Sequence, residues 1–146
     1  MRVLVVAHPD DEVLWFNPEE FDRIVIVFLG RTDIPAQTEG RRKALEQHPL
    51  AERITCLGLT ESGYWRDKSK ASEYGASYLN LCKFLETLEA NEVVTHNAWG
   101  EYQHDDHILV HNACMATLKC SVNGKDPAMW RKIRRTYEAN GCWTWY

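Results

Sequence analysis

Short apolar runs alternate along the chain with stretches in which apolar residues return at helical spacing, and this alternation predicts strands interleaved with helices. Strands are expected near Arg2 to Ala7, Arg23 to Leu29, Arg53 to Leu57 and Glu92 to Thr95. The first contains the unbroken run Val3 to Val6, the pattern of a strand covered on both faces. Thr38 can cap a helix carrying Arg41, Arg42 and Leu45 that should stop by Pro49. From Ser72 to Ala90, the residues Tyr74, Tyr78, Leu81, Leu85 and Leu88 form a helical stripe that belongs to the core. Asp126 followed by Pro127 starts a last helix, with Met129, Trp130, Ile133 and Tyr137 on its buried face and Asn140-Gly141 at its end. The expected class is α/β, with a mostly parallel sheet flanked by helices.

Composition narrows this picture. A chain of 146 residues, 45% hydrophobic and 26% charged, has the make-up of one globular domain around a single core. Taken with the alternation of strands and helices, the expectation is a single Rossmann-like domain. No repeat, low-complexity tract or interdomain linker divides it. A formal charge of −4 argues against nucleic-acid binding, which uses a basic stripe; the run Arg131 to Arg135 reads as the solvated face of the last helix. No apolar stretch approaches the roughly 20 residues that span a bilayer, so no membrane span is expected. The five cysteines, Cys56, Cys82, Cys114, Cys120 and Cys142, form no C-x-x-C pair, which argues against a thiolate zinc site. Their odd number and the lack of a secretory segment point to the reducing cytoplasm.

The chemistry-bearing residues concentrate in two places. AHPDDE, Ala7 to Glu12, follows the first strand, and THNAWGEYQHDDH, Thr95 to His107, follows another β-prone run. Open α/β sheets bind ligands at the carboxyl ends of their strands. There His8 and Asp11 offer a nitrogen and an oxygen to a metal ion, and the later segment adds His104, Asp106 and His107. The plainer alternative for Asp10, Asp11 and Glu12 is a helix N-terminus stabilised by its dipole, but two such segments in order after strands favour a metal site. Glu12 fits capping or support of a ligand better than ligation. His107 and His111 are four apart with no glutamate between, so His111 is expected to be a partly buried helix residue. His48 and His96 are given structural roles, with His96 the nearer to a pocket. The first strand leads into HPDDE and not G-x-G-x-x-G, which excludes a pyrophosphate cradle.

Together AHPDDE and HDDH resemble the zinc-dependent sugar N-deacetylases of the LmbE-like or PIG-L family, and the resemblance runs in order through most of residues 1–146 as a single such domain. It implies that His8, Asp11 and His107 bind zinc and that Asp10 is the general base. It further implies that His104 is the acid, stabilising the oxyanion and protonating the amine, with Asp106 orienting its imidazole. The implied reaction releases acetate and a free amine from an N-acetylated amino sugar or glycoconjugate of N-acetylglucosaminyl type. An amidase on another acyl group and a noncatalytic carbohydrate-binding protein of the same fold are the rival readings. The chain departs from the family in having VLWFNPEEF after the motif, where Asn17-Pro18 should break the first helix early. It is also short for the family, which implies trimmed substrate loops or a missing lid.

Substrate contacts are expected from several residues. Relatives carry an arginine after the second strand that holds substrate, and spacing does not decide between Arg41 and Arg42. Trp99, Glu101 and Tyr102 should shape the pocket rim, Glu101 either binding sugar hydroxyls or facing water. The segment Thr60 to Ser72 is the best mobile loop, and its Tyr64 and Trp65 either stack on a sugar or anchor the loop. Six tryptophans, including Trp143 and Trp145, predict an exposed aromatic surface that serves carbohydrate or a homo-oligomer contact.

Overall fold

The computed structural model describes residues 1–123 and 131–141. Among these the strands are β1 (Arg2–Val6), β2 (Arg23–Gly30), β3 (Ile54–Thr60), β4 (Glu92–Thr95) and β5 (Cys120–Val122). They form one sheet in the order β3-β2-β1-β4-β5, with every pairing parallel. The helices are α1 (Asp11–Leu14), α2 (Pro35–Glu46), α3 (Ala71–Leu85), α4 (Gly100–Gln103), α5 (Asp105–Thr117) and α6 (Arg131–Ala139).

The apolar run of β1 produces two cores, because alternate side chains leave opposite faces of a strand. Val3 and Val5 pack with Leu81 and Leu85 of α3 and with Leu109 and Val110 of α5. Leu4 and Val6 point the other way, toward Phe16, Phe21, Ile24 and Ile26. On that second side Ile133 and Tyr137 of α6 are buried with Val13 and Ala44, as the helical stripe predicts. Asp126, Pro127, Met129, Trp130, Cys142, Trp143 and Trp145 lie outside the described residues.

Several boundaries differ from expectation for local reasons. Helix α2 starts at Pro35, whose ring fixes φ for a first helical residue, so Thr38 is not the cap. Its Oγ1 instead accepts the Arg31 N–H at 2.8 Å and ties the loop after β2 to the helix. Asn17 and Pro18 do limit α1 to four residues, and a 3-10 turn follows at Pro18–Glu20. Strand β3 continues to Thr60 through Gly58, whose φ of 71° accompanies an irregular register against β2. Strand β5 is an edge strand of three residues, too short and too exposed to give a β signal in the sequence.

The strand order fixes where a ligand can enter. From β1 the chain steps outward to β2 and β3, then returns to the other side of β1 for β4 and β5. A crevice opens where the order reverses, at the adjacent carboxyl ends of β1 and β4. His8 follows the first of these ends and His96 the second.

Candidate metal centre and active site

The turn after β1 folds back on itself. Asp11 Oδ2 accepts the His8 N–H at 2.7 Å, which holds the imidazole and carboxylate of the motif side by side. His8 Nδ1 lies 3.3 Å from Asp11 Oδ2, and His107 Nε2, from the first turn of α5, lies 3.2 Å from Asp11 Oδ1. One ligand atom from each of His8, Asp11 and His107 falls within 4.8 Å of the others. The outer nitrogens are already engaged: His8 Nε2 meets Asp106 Oδ2 at 2.9 Å, and His107 Nδ1 meets Glu101 Oε2 at 3.1 Å. With its proton on the outer nitrogen, each ring would turn a lone pair toward the Asp11 carboxylate.

Lone pairs facing a carboxylate need a positive charge between them. His107 Nε2 is buried and has no hydrogen-bond partner among the described residues. Burial opposes protonation of His8, but the Glu61, Asp106 and Asp11 carboxylates outweigh it and raise its pKa well above 6.5. Burial likewise disfavours the charged form of Asp11, yet His107, His8 and His96 hold its carboxyl well below the ordinary range. Two imidazole nitrogens and one carboxylate around a cation-seeking point fit zinc with an open position.

Two further groups flank that point. Asp10 precedes α1 with φ 101° and ψ −28°, a left-handed conformation costly for a residue with a Cβ. Its side chain makes no capping bond and faces the cavity instead. Burial, then the neighbouring Asp11 and Glu12, push its pKa well above the ordinary value. His104 precedes α5, and its Nδ1 accepts the Asp106 N–H at 3.1 Å, so the neutral ring carries its proton on Nε2. Burial, then the adjacent His8 and His107, push the His104 pKa down to about 2. Asp106 therefore touches His104 through its backbone amide, while its carboxylate serves His8.

These groups line a cavity of about 460 Å³, the size of a small-molecule site. Of the two candidate arginines it is Arg41 that reaches the cavity; its Nη1 donates to Leu29 O at 3.1 Å and Glu61 Oε2 at 2.6 Å. Arg42 lies on the exposed side of α2, paired with Glu39 and Glu46. Tyr102 lines the mouth, its ring edge-on to His104, whereas Trp99 is 75% exposed and off the cavity wall. Glu101 corrects the expectation of a rim residue: its side chain is 1% exposed and turned inward beneath His107. The loop aromatics divide the two roles considered for them. Tyr64 stacks on Tyr74 at 4.4 Å and anchors the loop; Trp65 lines the cavity 5.7 Å from the His104 ring.

Glu61 is the site residue that sequence reasoning missed. It follows β3 directly and stands 3.3 Å from His8 Nε2, but the strand expected from the sequence stops at Leu57, so the carboxyl-end rule that found His8 reaches Glu61 only once the end of β3 at Thr60 is known. His111 is a buried helix residue, its Nδ1 donating to His96 O at 2.7 Å. His96 does not reach the cavity; it is fully buried and stacks on His107 at 3.9 Å. His48 is buried against Glu12, Nε2 to Oε1 at 3.2 Å.

No family model matches the chain. It is similar to deacetylases of 1D-myo-inositol 2-acetamido-2-deoxy-α-D-glucopyranoside from three bacteria. The Corynebacterium diphtheriae protein is 27% identical over 144 residues, covering 75% of this chain and 49% of the relative. Frankia casuarinae deacetylase 1 is 25% identical over 163 residues, covering 86% and 52%. The Actinosynnema mirum protein is 27% identical over 155 residues, covering 82% and 55%. The chain thus spans about half the length of the curated relatives it matches.

Proposed function

We propose that the protein is a zinc-dependent hydrolase that removes acetyl from an N-acetylated amino sugar or glycoconjugate. The carrying observation is the convergence of His8 Nδ1, an Asp11 oxygen and His107 Nε2 beside Asp10 and His104 at one crevice. The three curated relatives, named for deacetylation of an acetamido sugar, support the same reading. Zinc held by these ligands supplies a water of lowered pKa, near roughly 7, and polarises the amide carbonyl.

Asp10 takes the proton from the attacking water, a task suited to a carboxylate whose pKa is raised. His104 directs its Nε2–H at the oxygen that gains charge, acting as a neutral hydrogen-bond donor. A ring with its pKa held near 2 carries no spare proton at neutral pH. We therefore assign delivery of the proton to the departing amine to Asp10, which has just collected it. Arg41, braced by Glu61, and the faces of Trp65 and Tyr102 hold the sugar. Among the described residues no helix is long and apolar enough to cross a membrane, and the four described cysteines are free, which suits the cytoplasmic setting we assign.

The test is acetate release from a panel of N-acetylglucosamine compounds, using protein stripped of metal and then restored with stoichiometric zinc. Zinc-dependent release from at least one compound is expected. Tight zinc binding with no release from any of them, simple or glycoconjugate, would overturn the deacetylase reading in favour of another acyl substrate or a binding protein.

A further inference from the structure

Glu101 occupies φ 60° and ψ −63°, backbone space that residues with a Cβ avoid. Two bonds hold the chain in this shape: Asn97 Oδ1 accepts the N–H groups of Trp99 and Glu101, each at 3.0 Å. The bend delivers the carboxylate to a set of donors. Oε1 accepts the Asn97 N–H at 3.2 Å and an Asn123 Nδ2–H at 3.1 Å. Oε2 meets His107 Nδ1 at 3.1 Å and stands 3.0 Å from His96 Nδ1. Because His96 Nε2 accepts the Ala7 N–H at 3.0 Å, the proton of the neutral ring is on Nδ1, facing Glu101. A carboxylate, accepting on both oxygens, is the side chain that suits donors on every side.

We infer that Glu101 is a positioning residue that fixes the Nδ1–H tautomer of His107, keeps its Nε2 lone pair free for the metal, and thereby sets metal affinity. The inference rests on the metal-site reading of His8, Asp11 and His107. His96 is the second half of the device. Its ring lies nearly parallel to that of His107, at 17° and 3.9 Å, and its bond to the Ala7 amide registers the loop after β4 against the end of β1. Glu101 thus joins both motifs through two imidazoles without reaching the cavity. Backbone strain at a buried acid has an explanation here, since a relaxed loop would not carry the carboxylate under His107.

Glutamine at this position retains one acceptor oxygen. If that oxygen stays with Asn97 and Asn123, the amide NH2 faces His107 Nδ1, and the ring must move its proton to Nε2, the metal-binding atom. Loss of such a carboxylate partner lowers metal affinity by about 10- to 100-fold.

The experiment measures zinc affinity by competition with a chromophoric chelator for the unsubstituted protein, Glu101→Gln and Glu101→Gly. It adds the melting temperature of each metal-free form, the nitrogen-15 shifts of His107, and KM and kcat at saturating zinc. We expect both variants to bind zinc about 10- to 100-fold more weakly. Glu101→Gln keeps an acceptor oxygen for Asn97 and Asn123 and should melt close to the unsubstituted protein in the metal-free form, so weakened binding there is not a folding defect; Glu101→Gly relieves the positive φ but strands those donors and should melt lower. The proton on His107 should appear at Nδ1 in the unsubstituted protein and shift toward Nε2 in Glu101→Gln. Unchanged zinc affinity in both variants overturns the inference alone, as does a raised KM with zinc affinity intact, which would make Glu101 a substrate contact. Failure of the unsubstituted protein to bind zinc overturns the metal-site reading and this inference with it.

Discussion

The Tyr137 hydroxyl donates a 2.8 Å hydrogen bond to Glu12 Oε1 across 125 positions of sequence. Glu12 is fully buried, takes a second bond from His48 at the exit of α2, and through Oε2 accepts the N–H of Asp10 at 3.0 Å. Helix α6 therefore braces the turn that presents the proposed base. Tyr137→Phe leaves a buried acceptor short of a donor, a loss of about 1–3 kcal/mol. Urea unfolding should register that loss, and kcat should fall while zinc affinity holds. Unaltered stability would mean that α6 does not brace the turn.

Asp10 holds a conformation that costs on the order of 1–3 kcal/mol for a residue with a Cβ. Asp10→Gly should raise the unfolding free energy by about 1 kcal/mol and lower deacetylation by roughly 10²- to 10⁴-fold. Asp10→Asn should keep zinc and fold while abolishing turnover. Retained turnover in either variant, read as acetate release, would sink the assignment of Asp10 as base.

Arg41 and Arg42 are neighbours in sequence with opposite fates. Arg41 and Glu61 form a pair whose side chains are each 7% exposed, so Arg41→Ala leaves buried Glu61 facing His8 without its guanidinium partner and should cost up to about 3 kcal/mol. Arg42→Ala breaks exposed pairs with Glu39 and Glu46 and should cost about 0–1 kcal/mol with no change in KM. Similar effects from the two, in denaturant melts and substrate titrations, would contradict the placement of Arg41, and not Arg42, at the cavity.

What the sequence makes legible here are features written locally. The run Val3 to Val6, the stripe of α3 and the two acid-histidine segments each announce themselves within about a dozen residues, through side-chain period or donor spacing. Glu61 is silent because only the adjacency of β3 to β2, and the reach of its side chain to His8, gives it a role. The inward turn of Glu101 is hidden because local propensity argues against a positive φ in a residue with a Cβ, and it is overruled by contacts to Asn97, His96 and His107 that form only once the loop is folded, together with the more remote Asn123. The choice between Arg41 and Arg42 rests on the rotation of α2 against the sheet, which its start at Pro35 and its packing fix together.

His104 yields a prediction in pH. Its folded pKa, about 2, lies below the ordinary 6.5, with burial the leading cause and the adjacent His8 and His107 adding to it. Between those values the unfolded chain binds a proton at this ring that the folded chain does not, so unfolding is favoured as pH falls. The contribution of His104 is therefore complete above its unfolded pKa and is lost progressively as pH drops from 6.5 toward 2. In His104→Gln this acid-linked loss is absent. Any stability advantage of the unsubstituted protein over the variant should accordingly shrink between about pH 7 and pH 4 in paired urea titrations. The same ring should show no imidazole titration in that interval by nitrogen-15 or carbon-13 shifts. A midpoint near 6.5 would remove the basis for treating His104 as a neutral donor and would return the amine-protonating role to it.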